Sequence, residues 1–155
     1  MLNIYIHLDS HSVENYMSKN IVSMSSQTNA LEAAKTMLNR KISSILLTDE
    51  TRKTVGIITE KDLLREICSK NLLAQSVAAG SVMSTPLLTI DKNLSMEDAA
   101  KLMVEFKVRH VAVEDKENGN IIGVITSSDL AFYVKKLIPD NYTMAPALFE
   151  ALYCE

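Results

Sequence analysis

The feature that most constrains this chain is that it matches itself. Shifted by 66 residues, Met17-Ser18 falls on Met83-Ser84, Ala33-Ala34-Lys35 on Ala99-Ala100-Lys101, Met37 on Met103, Lys41 on Lys107 and Asp49 on Asp115. One residue inserted in the second copy moves the offset to 67. There Gly56-Ile57-Ile58-Thr59-Glu60-Lys61-Asp62-Leu63 falls on Gly123-Val124-Ile125-Thr126-Ser127-Ser128-Asp129-Leu130. Two such copies must form the same supersecondary unit, so the repeat limits the architecture before any one element is assigned.

Periodicity supplies that unit. Ile21 to Met24 and Leu87 to Ile90 are short apolar runs suited to a first strand, and Pro86 fits an extended start. In Asn29 to Arg40 and Ser95 to Phe106, apolar residues recur at helical spacing: Ala30, Ala33, Ala34 and Met37 in one, Met96, Ala99, Ala100 and Met103 in the other. Asn29 with Glu32, and Ser95 with Asp98, supply a cap and an acid three residues on. A hairpin follows in each copy, Ser44 to Thr48 with Val55 to Ile58 and His110 to Glu114 with Ile121 to Ile125. A closing helix then runs from Glu60 to about Lys70 and from Ser127 to about Lys136.

The predicted fold class is α/β, with two β-α-β-β-α repeats packed about a pseudo-twofold axis, because one repeat of this size buries too little alone. The expected organisation is an N-terminal segment 1–12, repeat 13–70, a compact connection 71–81, repeat 82–137 and a tail 138–155. In the first segment Ile4, Ile6 and Leu8 alternate as a half-buried strand would; in the tail, Pro139 and Pro146 bracket an approach to the apolar Ala147 to Tyr153 stretch.

Composition excludes several classes. Sixteen basic against nineteen acidic residues leave a net charge of −3, so no chain-wide basic field favours nucleic acid or an anionic membrane. With 47% hydrophobic and 23% charged residues, the chain is expected to be globular rather than disordered. It has no apolar run near the roughly 18 residues of a spanning helix and no Lys or Arg before Lys19, which predicts a cytoplasmic protein. Cys68 and Cys154 lack metal or redox spacing. His7-Leu-Asp9-Ser-His11 has no evident further ligand, and no metal is expected. Neither G-x-G-x-x-G nor G-x-x-x-x-G-K-[ST] occurs, and no Cys, Ser or Lys sits in a nucleophile motif, so the chain is not read as an enzyme.

The chemistry therefore rests on the shared octapeptide. Gly-φ-φ-Thr-x-x-Asp, with φ apolar, puts a strand end directly before a helix, where Thr and the first free amides suit an anion such as phosphate. An Asp one turn in suits a diol such as ribose. Thr-x-x-Asp is equally a capping box, and the two roles are compatible. Gly56 and Gly123 allow close approach of backbone or ligand.

Two β-α-β-β-α units, a doubled G-φ-φ-T-x-x-D-L signature and Met-Ser leading into each first strand resemble a tandem cystathionine β-synthase (CBS) domain pair, or Bateman module, over about Val13 to Leu137. The resemblance implies a regulatory module that binds an adenosine nucleotide (AMP, ADP or ATP) or S-adenosylmethionine in clefts between repeats. It implies Asp62 and Asp129 at ribose and Thr59 and Thr126 at phosphate. It implies adenine against Leu87, Leu88 and Thr89 in the Asp62 cleft, and against Ile21, Val22 and Ser23 in the Asp129 cleft, with Ile58, Val124 and Ile125 also lining the base. The family's basic residue maps to Arg109, beside His110; the first repeat has Ser43 and Ser44 there. Arg can hold phosphate through two charge-assisted bonds, so the Asp129 cleft is the better candidate.

The same resemblance implies a homodimer through the closing helices, where Leu63, Leu64 and Ile67, and Leu130, Tyr133 and Val134, recur at helical spacing. A regulated protein partner is also implied. The alternative function, from a different class, is a dimerisation or scaffold module that needs no ligand.

Overall fold

The computed structural model describes residues 11–137. The expected strand at Ile4 to Leu8, the tail beyond Leu137, His7, Asp9 and Cys154 lie outside them. The chain divides into two compact units, one contiguous from Asn20 to Leu88 and one composite, joining the stretch that ends at Lys19 to the stretch that begins at Thr89.

In the contiguous unit, β1 (Ser23–Ser25) leads through α1 (Ala30–Arg40) to β2 (Ser44–Thr48), β3 (Thr54–Thr59) and α2 (Glu60–Leu63). The sheet order is β1-β2-β3, parallel then antiparallel. The composite unit repeats this with β4 (Thr89–Asp91), α3 (Met96–Phe106), β5 (His110–Asp115), β6 (Asn120–Thr126) and α4 (Ser127–Leu137), in the order β4-β5-β6. Each hairpin breaks register at the same place, Leu47/Thr48 in one and Val113/Glu114 in the other.

Local chemistry sets the helix ends. Asn29 accepts from the Glu32 amide at 3.0 Å, and Ser95 and Asp98 close a reciprocal capping box. At the other end Lys41 and Lys107 adopt left-handed φ values of 54° and 53°. The Ile42 amide then reaches the Met37 carbonyl at 3.0 Å, and Val108 reaches Met103 at the same distance, which satisfies carbonyls that would otherwise be orphaned.

Two expectations need correction. The first strands start two residues later than the apolar runs, at Ser23 and Thr89, because the parallel ladder pairs only Ser23–Ser25 and Thr89–Asp91. Val22 still belongs to the apolar packing of its unit, and its carbonyl still accepts from the Leu46 amide at 3.0 Å. The closing helix of the first copy is not α-helical to Lys70: after Leu63 it passes into a π turn, Leu64–Cys68. Ile67 stays buried while Leu64 is 64% exposed, so the stripe expected from Leu63, Leu64 and Ile67 points two ways. The segment 71–81 is compact, with 3-10 turns at Ala74–Ser76 and Ala79–Ser81 and backbone bonds from Ala30 to Val77 and from Ala79 to Thr28.

The core of the contiguous unit is built from Ala33 and Met37 on α1, Ile45 and Leu47 on β2, Ile58 on β3 and Ile67. In the composite unit Ala99, Met103, Val111, Val113, Ile125 and Tyr133 are buried. The small alanines let each helix lie close to its sheet.

The Met-Ser leaders do not stay with the copy they introduce. Ser84 and Ile57 exchange two backbone bonds, of 2.8 and 3.2 Å, on the free side of β3; Ser18 and Val124 do the same at 2.9 and 3.1 Å beside β6. Thus the leader of each sequence copy completes the sheet of the other. A methyl on Gly56 would meet Met83 Sδ at 2.6 Å and the Ser84 carbonyl oxygen at 2.9 Å, and one on Gly123 would run into Met17 and the Ser18 carbonyl. The signature glycines therefore admit the leader's backbone and methionine. Gly56→Ala and Gly123→Ala should each destabilise the protein by about 1–3 kcal/mol through overpacking, read as a lower urea midpoint.

Candidate functional site

Both Thr-x-x-Asp segments form the same local device. Thr59 ends β3 in extended conformation, with φ −122° and ψ 165°, and its side chain accepts from the Asp62 amide at 3.2 Å. The Thr59 amide and hydroxyl both donate to Asp62 Oδ2, at 2.9 and 2.7 Å. The Thr126 amide and hydroxyl donate to Asp129 Oδ2 at 2.8 and 2.7 Å, and the Asp129 amide returns to Thr126 at 3.3 Å. The first helical amides are also taken, Glu60 by the Ser43 carbonyl at 3.1 Å and Ser127 by the Arg109 carbonyl at 3.0 Å. The picture of threonine and free amides facing an anion together is corrected accordingly: the hydroxyl and two of those amides already have partners within the chain.

The other carboxylate oxygen separates the two copies. Asp62 Oδ1 accepts from Arg65 Nη2 at 3.0 Å and from the Ser84 hydroxyl at 3.2 Å, and Asp62 is only 3% exposed. Asp129 is half-buried, and among the described residues its Oδ1 has no hydrogen-bond partner. Arg65 itself is fixed, since its Nε donates to Glu66 Oε1 at 2.8 Å and the other Glu66 oxygen accepts from Lys70. Glu66, and then Asp62, raise the Arg65 pKa, while Lys70 and Arg65 lower that of Glu66.

The composite unit brings together Thr126, Asp129, His110 and Arg109. His110 pairs with Thr126 across β5 and β6, and Arg109 precedes β5 with an exposed side chain that is engaged elsewhere in the chain. Val124 is half-buried there, and Thr89 donates to Glu114 at 3.4 Å. Ile125 and Ile58 are fully buried core residues and present no side-chain surface for a base. Ile21, Val22, Ser23, Leu87 and Leu88 all belong to the contiguous unit with Asp62, and of these only Ser23 is exposed.

Sequence reasoning missed Arg65 and Ser84 as partners of Asp62. Arg65 was accessible to it, being three residues beyond an acid on a helix; Ser84 depends on the leader exchange. It also missed the polar group around Tyr133. This tyrosine, 4% exposed, donates to the Glu97 carboxylate and is 2.8 Å from His11 Nδ1. Because its single proton goes to Glu97, His11 Nδ1 must be the donor in that second bond. Tyr16 packs edge-on against Tyr133, with 5.1 Å between ring centroids. A cavity of about 430 Å³ opens beside His11, Glu97 and Tyr133 and contains neither Thr-x-x-Asp segment. Among the described residues, no cluster of His, Cys, Asp or Glu is arranged to hold a metal, and no helix is long and apolar enough to cross a membrane.

Two β-α-β-β-α units with a Thr–Asp box at each strand-to-helix junction define a tandem-repeat α/β module. The family model for the CBS domain matches residues 13–69 and again 79–136, so the chain belongs to the CBS domain family, as a tandem pair. An uncharacterized protein of Methanopyrus kandleri is 31% identical over 119 residues, covering 77% of this chain; the chain spans 60% of that relative's length. Among solved structures, a CBS domain protein from Pyrobaculum aerophilum complexed with AMP superimposes with a TM-score of 0.71 at 24% identity, over 78% of this chain and 91% of that one. The CBS domain pair of protein MJ0100, in complex with 5-methylthioadenosine and S-adenosyl-L-methionine, gives 0.73 at 24% identity, over 82% and 98%.

The Tyr133 group generates a pH dependence. Burial, and then the bond to Glu97, push the phenol from 10.0 up to about 12, while the Tyr133 hydroxyl holds Glu97 below its usual 4.5. The folded state thus keeps the phenolic proton more tightly than the unfolded one. That stabilisation is complete below pH 10.0 and is lost as pH rises through about 12; the Glu97 part is complete above 4.5 and is lost in acid. The melting temperature of the wild type should exceed that of Tyr133→Phe at neutral pH, and the gap should narrow as pH is raised above 10.0.

Proposed function

We propose that this CBS pair is a non-catalytic, cytoplasmic regulatory module that senses an adenosine-containing ligand, AMP, ADP, ATP or S-adenosylmethionine, with Asp129 as its principal ribose acceptor. The observation that carries the reading is Asp129 Oδ1, a carboxylate oxygen that accepts no hydrogen bond among the described residues and has two lone-pair directions for a ligand. Thr126 and His110 pair at the same strand-to-helix junction, where the Arg109 carbonyl accepts from the Ser127 amide at 3.0 Å. The AMP and S-adenosyl-L-methionine complexes of similarly folded proteins support the ligand class. Binding would act as a population shift that a regulated protein partner reads.

A second reading has its own support. Both Thr–Asp boxes are closed within the chain, which is what two copies kept only as caps in a ligand-independent dimerisation module would look like. In either reading, exposed Leu64 in the contiguous unit and exposed Phe132, Val134 and Leu137 in the composite unit each offer apolar area to a homodimer, which light scattering after size exclusion checks.

Calorimetric titration with AMP, ATP and S-adenosylmethionine separates the two. Under the sensor reading at least one ligand binds with micromolar affinity, and Asp129→Asn, which retains an acceptor for Thr126, weakens it at least tenfold with little change in the urea midpoint. Flat titrations of a folded protein would leave the architectural reading in place.

A further inference from the structure

We propose that Arg65 is a built-in competitor for the Asp62 carboxylate, so that the contiguous unit declines a diol-bearing ligand that the Asp129 station accepts. The inference rests on the reading of these aspartates as ribose acceptors and adds what decides between them.

The boxes are equivalent at Oδ2, where Thr59 and Thr126 each donate twice, so the difference is confined to Oδ1. A vicinal diol brings two hydroxyl donors and needs two free acceptor directions. At Asp62 both are spent, on Arg65 Nη2 at 3.0 Å and the Ser84 hydroxyl at 3.2 Å. A ligand hydroxyl that displaced the guanidinium would exchange a bond charged at both ends for one from a neutral donor, and the exchange favours the arginine. Ser84 is held in place by its two backbone bonds to Ile57.

The arginine is also positioned. Its side chain is 56% exposed, and a free chain of that length would sweep many rotamers. Glu66 takes its Nε at 2.8 Å, and Lys70 takes the other oxygen of Glu66, so Nη2 remains directed at Asp62. The same contacts raise the Arg65 pKa and lower that of Glu66.

At the repeat offset of 67 the counterparts of Arg65, Glu66 and Lys70 are Phe132, Tyr133 and Leu137. None carries a formal charge at neutral pH, and Phe132 has no donor to offer Asp129. The whole clamp is present in one copy and absent from the other.

The test is a calorimetric titration of the full chain with adenosine, a neutral probe that removes any effect of Arg65 on phosphate, followed by AMP. Wild type should bind one equivalent, weakened at least tenfold by Asp129→Asn. Arg65→Ala should expose a second equivalent, at least tenfold tighter than any second binding in wild type. Adding Ser84→Ala should tighten it further, and adding Asp62→Asn should remove it. Glu66→Gln, which only releases the arginine, should give a smaller gain and stands in if Arg65→Ala fails to fold. One equivalent in Arg65→Ala and in Glu66→Gln, with wild-type binding still weakened in Asp129→Asn, overturns the competitor and leaves the sensor standing. Weaker binding in Arg65→Ala makes Arg65 a ligand contact and overturns the proposal. Flat titrations of every folded form overturn both.

Discussion

The double hydrogen bond between Ile57 and Ser84, and its twin between Val124 and Ser18, tie each sheet to the leader of the other sequence copy. A three-stranded sheet of this order leaves the outer strand of its hairpin with an unpaired edge, and an unpaired edge invites association with other chains. Each leader covers that edge for one residue pair and tucks a methionine, Met83 or Met17, over a glycine. Two signals that look separate in the sequence, Met-Ser before each copy and Gly at the head of each octapeptide, are thus the two sides of one contact. The leader also delivers Ser84 to the Asp62 carboxylate, so the packing device reaches the candidate site.

From a common scaffold the two copies have diverged on the helix that follows the box. After Asp62 the exposed side carries the chain Arg65, Glu66, Lys70; the corresponding stretch after Asp129 is aromatic, with Tyr133 buried and Lys136 lying 4.7 Å from the Phe132 ring. The first set of contacts closes over a carboxylate. The second turns away from its carboxylate, toward Tyr16, His11 and Glu97. Duplication supplied two equal acceptors, and the neighbours three and four residues on make them unequal.

Much of this architecture was legible in the sequence because it is set locally. The starts of α1 and α3 follow from Asn29 and Ser95, β2 from an apolar run of its own length, and the Thr–Asp boxes from spacing alone. What was not legible depends on partners far away in the chain. Apolar residues at Ile21 to Val22 and Leu87 to Leu88 signal burial, whereas β1 and β4 begin where a ladder partner exists. Lys41 and Lys107 end their helices in a conformation usually marked by glycine, so only their identity between copies hinted at a shared role. The π turn after Leu63 leaves an amphipathic pattern that reads as continuous helix. At the site, the box was foreseeable and the occupancy of its second oxygen was not, because Ser84 arrives from the other sequence copy.

The exchanged leaders also impose an order on the growing chain. The contiguous unit joins Ile57 to Ser84 across fewer than thirty residues, whereas Ser18 meets Val124 only after roughly a hundred more have been made. Closing the longer loop costs about 1 kcal/mol more in chain entropy. On a ribosome the Asn20–Leu88 unit is complete while the partner strand of Ser18 is still unsynthesised. The unit whose carboxylate is already satisfied from within is therefore the one that can close first, and the better candidate sensor closes only when β6 captures a segment made before the whole contiguous unit.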